Sequence, residues 1–300
     1  MASKVTPRHA EISVAIATRD RPQALARCLE SLRACRVLPA EVVVADQSAG
    51  SSTRQVVMEA DEPGLPVRWI DGGSGGLAGA QQAAFDHAEM ALVAVLDDDC
   101  VADSAWIEAL QRAFAEDPGL ALVCGRVVPL EGAGVPVATR TSAVRRPFRG
   151  RSLPWNVGSG NNFALRREWF DRVGGCDERL GPGTPGRGGL DMDLFYRVLR
   201  AGGPALYEPA AVVGHERATR TGRLARRHPY GFGMGAACAI YLRERDAYAV
   251  ALIAAWIGLR LRLVAAGVLR RRFAVLREEA LVLAGTAAGI VHGMRLEARR

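Results

Sequence analysis

Several features that mark particular protein classes are missing from this sequence of 300 residues. Its six cysteines are scattered and no two have C-x-x-C spacing, which argues against a zinc module and favours reduced thiols in a cytoplasmic protein. The N-terminus, MASKVTPRHAEISV, lacks an apolar core, so it predicts neither a signal peptide nor a transmembrane segment. The chain has no internal repeats and no low-complexity segments.

Lysine is nearly absent, since Lys4 is the only one and the remaining basic charge is arginine. The charge is also uneven. Residues 1–216 carry a net charge of −4 and residues 217–300 carry +11, within a total of +7. An acidic body with a basic tail predicts that the tail meets something negative, such as a membrane surface, a partner or a polyanion.

Strands alternate with helices over the first 130 residues. The predicted strands are 11–18, 41–48, 67–73, 91–99 and 121–130. This alternation predicts a parallel sheet with helices on both faces. Ligands of such sheets gather at the carboxyl ends of the strands. The polar residues predicted at those ends are Thr18, Asp46, Asp71 and Asp97–Asp99.

The second half of the chain is less regular. Residues 131–160 predict loops, 161–175 a short strand and a helix, 176–203 a long loop leading into a helix, and 205–216 an extended segment. Two helix starts are also predicted from capping residues. Asp20 is the expected N-cap of the first helix, and Asp103 or Ser104 that of the helix after the fourth strand.

The stretch VAVLDDDC places three aspartates directly after a buried strand. Adjacent carboxylates repel one another and raise each other's proton affinity. A divalent cation such as Mg²⁺ or Mn²⁺ prefers oxygen ligands and would offset that repulsion. The alternative is a solvated turn before the next helix. The position of the triplet on the predicted ligand-binding edge favours the cation.

Several motifs occur in a characteristic order: VAIATRDRP, VVVADQSAG, GGLAGAQQAAFDHA, VLDDDC, GSGNNFALRREWFDRVGGCDERL, GGLDMDLFYRVLRAGG and YEPAAVVGHE. Over residues 12–215 they resemble the inverting glycosyltransferases of family 2. That resemblance implies an α/β GT-A fold, with a Rossmann-like, mostly parallel sheet flanked by helices. The catalytic domain would cover 1–222, with a nucleotide-binding half (about 1–130) and an acceptor half (about 131–222). Residues 223–300 would form a C-terminal helical extension.

The resemblance also assigns binding roles. Asp46 would hold the nucleotide base or ribose, and Thr18 would lie beside the nucleotide. Asp99 would ligate the metal, with Asp97 or Asp98 reaching the ribose or donor sugar. The remaining assignments are His215 as a further metal ligand or a plain core or loop histidine, Asn161 and Asn162 near the donor sugar, and Trp155 either stacked on a sugar or buried in the core.

Asp191 matches the general base of the family, and the same position fits a helix N-cap. Asp193 is predicted to be structural. The family usually has Glu where this chain has Leu190, which makes the acceptor less certain. Gln81 and Gln82 stand where an Arg–Asn pair is common, which puts the base preference in doubt.

The implied activity is metal-dependent transfer of a sugar, with inversion, from a nucleotide-diphosphate sugar to an acceptor hydroxyl. The donor would be of the UDP, GDP or dTDP type, and no nucleic-acid partner is expected. The alternatives are a nucleotidyltransferase of similar fold and an inactive transferase-fold binding or scaffold protein. The segment ATRDRPQAL lacks the phosphate loop of the former, and the intact Asp97, Asp99 and Asp191 argue against the latter.

Two apolar runs, 247–259 and 280–291, lie in the basic tail. Both fall short of the roughly 20 residues that span a bilayer, and both are flanked by arginines. They predict either interfacial membrane helices or helices that pack on the catalytic domain or form a homodimer. The expected location is the cytoplasm, with the inner face of the membrane as the site of any such contact.

Overall fold

The computed structural model describes residues 8–62 and 64–297, so most of the N-terminal segment judged for a signal peptide lies outside the described residues. The strands are β1 (Arg8–Thr18), β2 (Val37–Asp46), β3 (Val67–Asp71), β4 (Leu92–Leu96), β5 (Cys100–Ala102), β6 (Leu122–Pro129), β7 (Arg146–Phe148), β8 (Asn162–Arg166) and β9 (Ala205–His215). The helices are α1 (Pro22–Arg33), α2 (Ser52–Ala60), α3 (Gly76–His87), α4 (Trp106–Glu116), α5 (Pro154–Val157), α6 (Arg167–Arg172), α7 (Leu190–Arg200), α8 (Arg220–Arg243), α9 (Tyr248–Leu269) and α10 (Phe273–Gly293).

Within the described residues, nine strands form one sheet in the order β3-β2-β1-β4-β8-β6-β9-β5, and β7 pairs with β9. The four strands β3-β2-β1-β4 are parallel to one another, as the strand–helix alternation predicts. Beyond β4 the sheet is mixed, because β8 runs antiparallel to both β4 and β6. The central sheet with flanking helices confirms the predicted α/β class.

The first helix shows how the apolar pattern sets the packing. Leu25, Leu29 and Leu32 recur at helical spacing and are buried, so they join the apolar side chains of β1 and β2 in one core. Burial of such a leucine stabilises the fold by about 1.5–3 kcal/mol. Pro22 begins the helix, where its missing N–H costs no hydrogen bond.

Both predicted N-caps are wrong. Asp20 has a positive φ of 55°, and its backbone N–H donates to Ser48 Oγ, so the helix instead begins after Arg21. Asp103 Oδ1 accepts from the N–H of Ala105, which is itself the N-cap residue of α4. In both cases the aspartate stabilises the turn before the helix rather than the helix end.

The chain divides into two compact units. Unit 1 comprises 1–75, 79–176 and 194–217, and it holds the sheet. Unit 2 comprises 76–78, 177–193 and 218–300, and it holds α8, α9 and α10. In unit 2, Gly231, Gly235, Gly285 and Gly289 let the backbones of α8 and α10 approach so closely that an added Cβ would overlap backbone atoms.

Helix α9 is longer than its apolar run suggests. The run was predicted to end at 259, but the helix continues to Leu269 because Arg260 is buried and paired with Glu279 of α10. Among the helices in the described residues, α9 alone has the length and apolar composition of a membrane span. The prediction that no apolar segment reaches that length is therefore wrong.

Candidate active site

The strand register of unit 1 aligns the predicted ligand-binding edge. Thr18 of β1 pairs with Asp46 of β2, and Asp46 pairs with Asp71 of β3. Beside them, Ala15 of β1 pairs with Val95 of β4. Three residues further along both strands, the same register places Thr18 next to Asp98. The polar residues at the strand ends therefore lie side by side, as the sequence predicts.

Asp98 is held by two partners from the first strand and its following turn. Thr18 Oγ1 donates to Asp98 Oδ2 at 2.8 Å, and Arg21 Nη1 donates to Asp98 Oδ1 at 3.0 Å. Burial raises the pKa of Asp98 above its usual value, the repulsion of Asp99 adds to this, and the Thr18 and Arg21 contacts oppose it. Asp98 is thus fixed in place by neighbouring side chains.

Arg21 also contacts the third aspartate. Its Nη1 lies 3.1 Å from Asp99 Oδ2, so one guanidinium bridges Asp98 and Asp99. Arg21 therefore offsets part of the negative charge of the triplet. Sequence reasoning missed Arg21 because nothing in the pattern distinguishes it from a solvated surface arginine.

His215 meets Asp99 because β5 and β9 pair antiparallel. Cys100 lies opposite His215 in this ladder, which brings the imidazole beside the preceding residue, Asp99. His215 Nδ1 lies 2.7 Å from the carbonyl oxygen of Glu216. A carbonyl can only accept, so Nδ1 carries the proton and, in the neutral ring, Nε2 is left as a lone-pair donor.

The pair of Asp99 and His215 fits a divalent cation. Nε2 lies 3.4 Å from Asp99 Oδ1, and that buried oxygen accepts no hydrogen bond. Two lone pairs facing each other are unfavourable, whereas two ligands of one octahedral ion stand roughly 3 Å apart. The thiol of the adjacent Cys100 lies beside these two groups, with the three candidate ligand atoms within 4.8 Å of one another. Burial, and then the nearby carboxylates, raise the pKa of this thiol well above its usual value.

Asp46 is engaged at the next strand end. Its Oδ2 accepts from Trp69 Nε1 at 3.0 Å and its Oδ1 accepts from the N–H of Ser48 at 2.8 Å. The guanidinium of Arg54 lies over the Trp69 ring at 4.6 Å. These contacts give a rigid carboxylate at the end of β2, flanked by an aromatic ring and a cation.

The asparagine pair has a supporting position in unit 1. Asn162 is fully buried, accepts from Trp106 Nε1, and donates to the carbonyl oxygens of Arg126 and Ala211. It therefore ties β8 to neighbouring elements. Asn161 is also buried, and its Oδ1 has no hydrogen-bond partner.

The burial of Trp155 bears on its two predicted roles, stacking on a sugar and packing in the core. This residue lies in the short helix α5 and is half-buried. It is therefore not one of the fully buried tryptophans of the core, a group that includes Trp106.

Asp191 belongs to unit 2. It lies in the first turn of α7 rather than at the N-cap, since the helix begins at Leu190 and Gly189 O accepts from the Asp193 N–H. Asp191 is half-buried, whereas Asp193 is 1% exposed and accepts from Tyr241 Oη at 2.8 Å. Leu190, at the position where the family resemblance implies Glu, is buried.

The glycine-rich loop before Asp191, residues 181–189, is fixed against α8. Gly181 N–H donates to Gly188 O, and Gly186 N–H donates to Arg179 O. The guanidinium of Arg187 lies 4.8 Å from the centre of the Phe232 ring. A Cβ at Gly233 would come within 2.2 Å of the Gly188 carbonyl carbon. Helix α8 therefore sets the path of the backbone that leads into Asp191.

Gly233→Ala is expected to destabilise the protein by about 1–3 kcal/mol, because the added methyl group overlaps backbone rather than a mobile side chain. The melting temperature should fall by roughly 2–10 °C in a thermal unfolding scan. Gly258→Ala is the matched control, since Gly258 is a helical glycine with no atom within 4 Å of its added Cβ. Its melting temperature should stay the same or rise slightly, as alanine favours helix. Equal effects of the two substitutions would contradict the close contact.

Comparison with known proteins decides the family. The sequence profile described as glycosyl transferase family 2 matches residues 13–174, more than half of the chain. The chain belongs to glycosyl transferase family 2. It has a GT-A fold, and the matched residues include the carboxylate triplet Asp97–Asp99.

Two curated relatives show how similar the sequence is to those of known proteins. The family 2 chain is 29% identical over 269 residues to the pre-mycofactocin glycosyltransferase of Mycobacterium tuberculosis, covering 84% of this chain and 53% of the relative. It is 26% identical over 223 residues to the succinoglycan biosynthesis protein ExoO of Rhizobium meliloti, covering 72% and 63%. The chain thus spans about half to two thirds of the length of these relatives.

Solved structures share the fold of this family 2 protein. The mannosyltransferase PcManGT from Pyrobaculum calidifontis, in complex with GDP-Man and Mn²⁺, aligns with a TM-score of 0.64 at 16% identity, covering 96% of this chain and 90% of that one. GalNAc-T7 with UDP, GalNAc and Mn²⁺ aligns with a TM-score of 0.53 at 20% identity, covering 69% and 44%.

Arg21→Gln is expected to strengthen Mn²⁺ binding by the metal site roughly threefold to tenfold. The guanidinium is half-exposed, so its screened repulsion of a cation at Asp99 is modest. The measurement is a calorimetric titration with MnCl₂. Arg33→Gln removes the same charge from α1 at a pair with Glu62, and should leave the affinity unchanged. Weaker Mn²⁺ binding by Arg21→Gln would show instead that the guanidinium supports the metal site.

Proposed function

We propose that this family 2 glycosyltransferase transfers a hexosyl group, with inversion, from a nucleotide-diphosphate sugar to an acceptor hydroxyl, using a divalent cation. The observation that carries the metal dependence is the buried, unpartnered Asp99 Oδ1 facing His215 Nε2. The related folds that hold Mn²⁺ beside GDP-Man, or beside UDP and GalNAc, support the same chemistry. The Asp99 carboxylate suits either Mn²⁺ or Mg²⁺.

The nucleotide would be held at the carboxyl ends of β1, β2 and β4. Asp46, fixed by Trp69 and the Ser48 N–H, is placed to bind the base or ribose, with Thr18 beside it. Asp97 or Asp98 would reach the ribose or donor sugar. Asn161 would contact the donor sugar through its unpartnered Oδ1, while Asn162 orders the strand beneath it. Half-buried Trp155 is our candidate for stacking on a sugar ring.

Asp99 and His215 would hold the cation, which when bound supplies positive charge against the negative charge that develops on the leaving diphosphate. Asp191 would take the proton from the acceptor hydroxyl. The acceptor oxygen would attack the anomeric carbon on the face opposite the leaving nucleotide, so a single displacement inverts the configuration. The partial exposure of Asp191 and the burial of Asp193 support this choice of base.

We also propose separate roles for the catalytic domain and for the C-terminal extension. Residues 1–222 would provide donor and acceptor binding, and 223–300 would hold the segment that carries Asp191, because Gly233 and Tyr241 of α8 contact that segment. The acceptor is a hydroxyl compound of undetermined class. Contact with a membrane at its inner face is our preferred role for the exposed side of the extension, over a homodimer.

A thermal shift screen tests the proposal. The protein is mixed with UDP-, GDP- and dTDP-linked hexoses and with nucleoside triphosphates, each with MnCl₂ or with EDTA. A cognate donor at about 100 times its dissociation constant stabilises by about 2.7 kcal/mol, which corresponds to roughly 5–10 °C. The shift should require the metal. A shift with nucleoside triphosphates but with no nucleotide sugar would favour a nucleotidyltransferase, and no shift with any of them would favour an inactive fold.

A further inference from the structure

We propose that the hairpin of α9 and α10 binds the surface of an anionic lipid bilayer through its turn. The turn patch consists of Val268, Leu269, Arg270–Arg272 and Phe273. Leu269 is 84% exposed, Phe273 74% and Val268 58%, which is unusual for large apolar side chains. This inference goes beyond the glycosyl transfer reaction and does not depend on it.

The hairpin is braced internally, so the turn patch projects from an ordered support. Arg260 lies 3.9 Å from the centre of the Trp256 ring and pairs with Glu279 at 3.3 Å. Trp256 Nε1 donates to Thr286 Oγ1 at 3.0 Å. These pairs join antiparallel helices connected by only three residues. Order at the base of the hairpin lowers the conformational entropy lost when the patch binds.

The exposed charge of the hairpin is all of one sign. Between 247 and 296, the acidic residues among the described positions are Glu278 and Glu279. The carboxylates of both residues form ion pairs within the protein. Glu278 pairs with Arg223, and Glu279 pairs with Arg227 and Arg260. The arginines exposed over the same range are Arg262, Arg270, Arg271, Arg272, Arg277 and Arg295. From α9 to α10 the exposed surface is therefore apolar and cationic, and the exposed carboxylate of Glu297 lies beyond the end of α10.

A lipid surface fits this combination better than a second copy of the chain. A symmetric dimer through the turn patch would place arginine against arginine. Anionic lipid instead offers phosphate groups to the guanidinium groups and acyl chains to Leu269 and Phe273. Arginines near an anionic bilayer each add favourable binding energy.

The surface, rather than a bilayer crossing, suits α9. Its 22 residues reach about the thickness of the hydrocarbon core, but Arg262 is exposed near the middle of the helix. An unpaired arginine facing lipid tails is costly, whereas at the interface its head remains in water. The exposed apolar residues Val250, Leu261 and Leu263 of α9 extend the surface beyond the turn patch.

Vesicle co-sedimentation of the full-length protein tests the proposal. The vesicles contain phosphatidylcholine with about 30% phosphatidylglycerol, or phosphatidylcholine alone. We expect binding to the anionic vesicles only, with release in about 0.5 M NaCl, which screens the arginines. Replacing Arg270, Arg271 and Arg272 by Gln should weaken partitioning roughly 100-fold. Leu269→Ser with Phe273→Ser should weaken it at least about tenfold.

Matched control variants distinguish binding through the turn patch from binding caused by exposed positive charge or exposed apolar residues elsewhere on the protein. Arg112→Gln with Arg146→Gln and Arg149→Gln removes three exposed arginines from unit 1 and should leave binding unchanged. Met58→Ser with Val144→Ser removes two exposed apolar side chains from unit 1 and should also leave binding unchanged. Circular dichroism confirms that each variant is folded.

Four outcomes overturn the proposal: no co-sedimentation, equal binding to neutral vesicles, turn-patch variants that bind like the wild type, or retention that high salt does not reverse. A vesicle-free dimer that Leu269→Ser with Phe273→Ser dissociates would also overturn it, in favour of self-association.

Discussion

Asp191→Asn is expected to lower turnover by about 10²–10⁴-fold, the usual contribution of a positioned general base. Asparagine keeps the shape of the side chain but cannot accept the proton of the acceptor hydroxyl. Folding should be only modestly affected, since a partly buried carboxylate in the first turn of a helix contributes about 0.3–2 kcal/mol. Steady-state rates of nucleoside diphosphate release with acceptor present provide the measurement.

Asp193→Asn is the control for this experiment. Its side chain is buried, and it can still accept from Tyr241 Oη after the substitution, so turnover should fall much less than at Asp191. Donor affinity should be unchanged in both variants. A large loss at Asp193 with nearly normal turnover at Asp191 would move the base by two residues. Normal turnover in both variants would remove the base from this helix turn.

Asp99→Asn is expected to weaken metal-dependent nucleotide binding by at least about 100-fold. The substitution removes the carboxylate oxygen that faces His215 Nε2, and loss of a direct ligand should cost more than the roughly 10–100-fold typical of an outer-shell partner. The fold should survive, because Arg21 still pairs with Asp98 and one charge of a repelling pair is gone. Calorimetric titration of the nucleoside diphosphate, with and without MnCl₂, measures the effect.

Asp103→Asn controls for loss of one carboxylate near the same strand. Asp103 is exposed and only accepts from the Ala105 N–H, which asparagine can also do, so the metal-dependent affinity should be unchanged. If Asp99→Asn kept the full enhancement by Mn²⁺, the metal assignment would be wrong. If it unfolded, His215→Ala would test the same ligand pair without changing the charge of the triplet.

The sequence predicts the edge of the sheet but not every contact at it. An apolar strand followed by DDD places the triplet on the ligand-binding edge, because strand periodicity and the parallel order are local signals. The approach of His215 to Asp99 depends instead on the pairing of Cys100 with His215 across more than a hundred residues. No local pattern encodes that register, so the family resemblance was needed to suggest it.

Other features depend on packing that the sequence does not display. The sequence alone predicts that Arg21 is an ordinary surface arginine. The structure shows its guanidinium in contact with both Asp98 and Asp99. Likewise, Asp191 and Asp193 have similar sequence surroundings, and only their different burial separates an accessible carboxylate from a structural one. Helix α9 extends past its apolar run because Glu279, on the next helix, neutralises Arg260.

Release of nucleoside diphosphate from nucleotide sugars tests the central claim most directly. The wild-type protein is incubated with UDP-, GDP- and dTDP-linked hexoses in MnCl₂ or in EDTA, and water takes the place of the unidentified acceptor. We expect slow release from at least one donor with the metal, none with EDTA, and none from Asp99→Asn under either condition. Release that continues at the same rate in EDTA and in Asp99→Asn would contradict a metal-dependent transferase centred on Asp99 and His215.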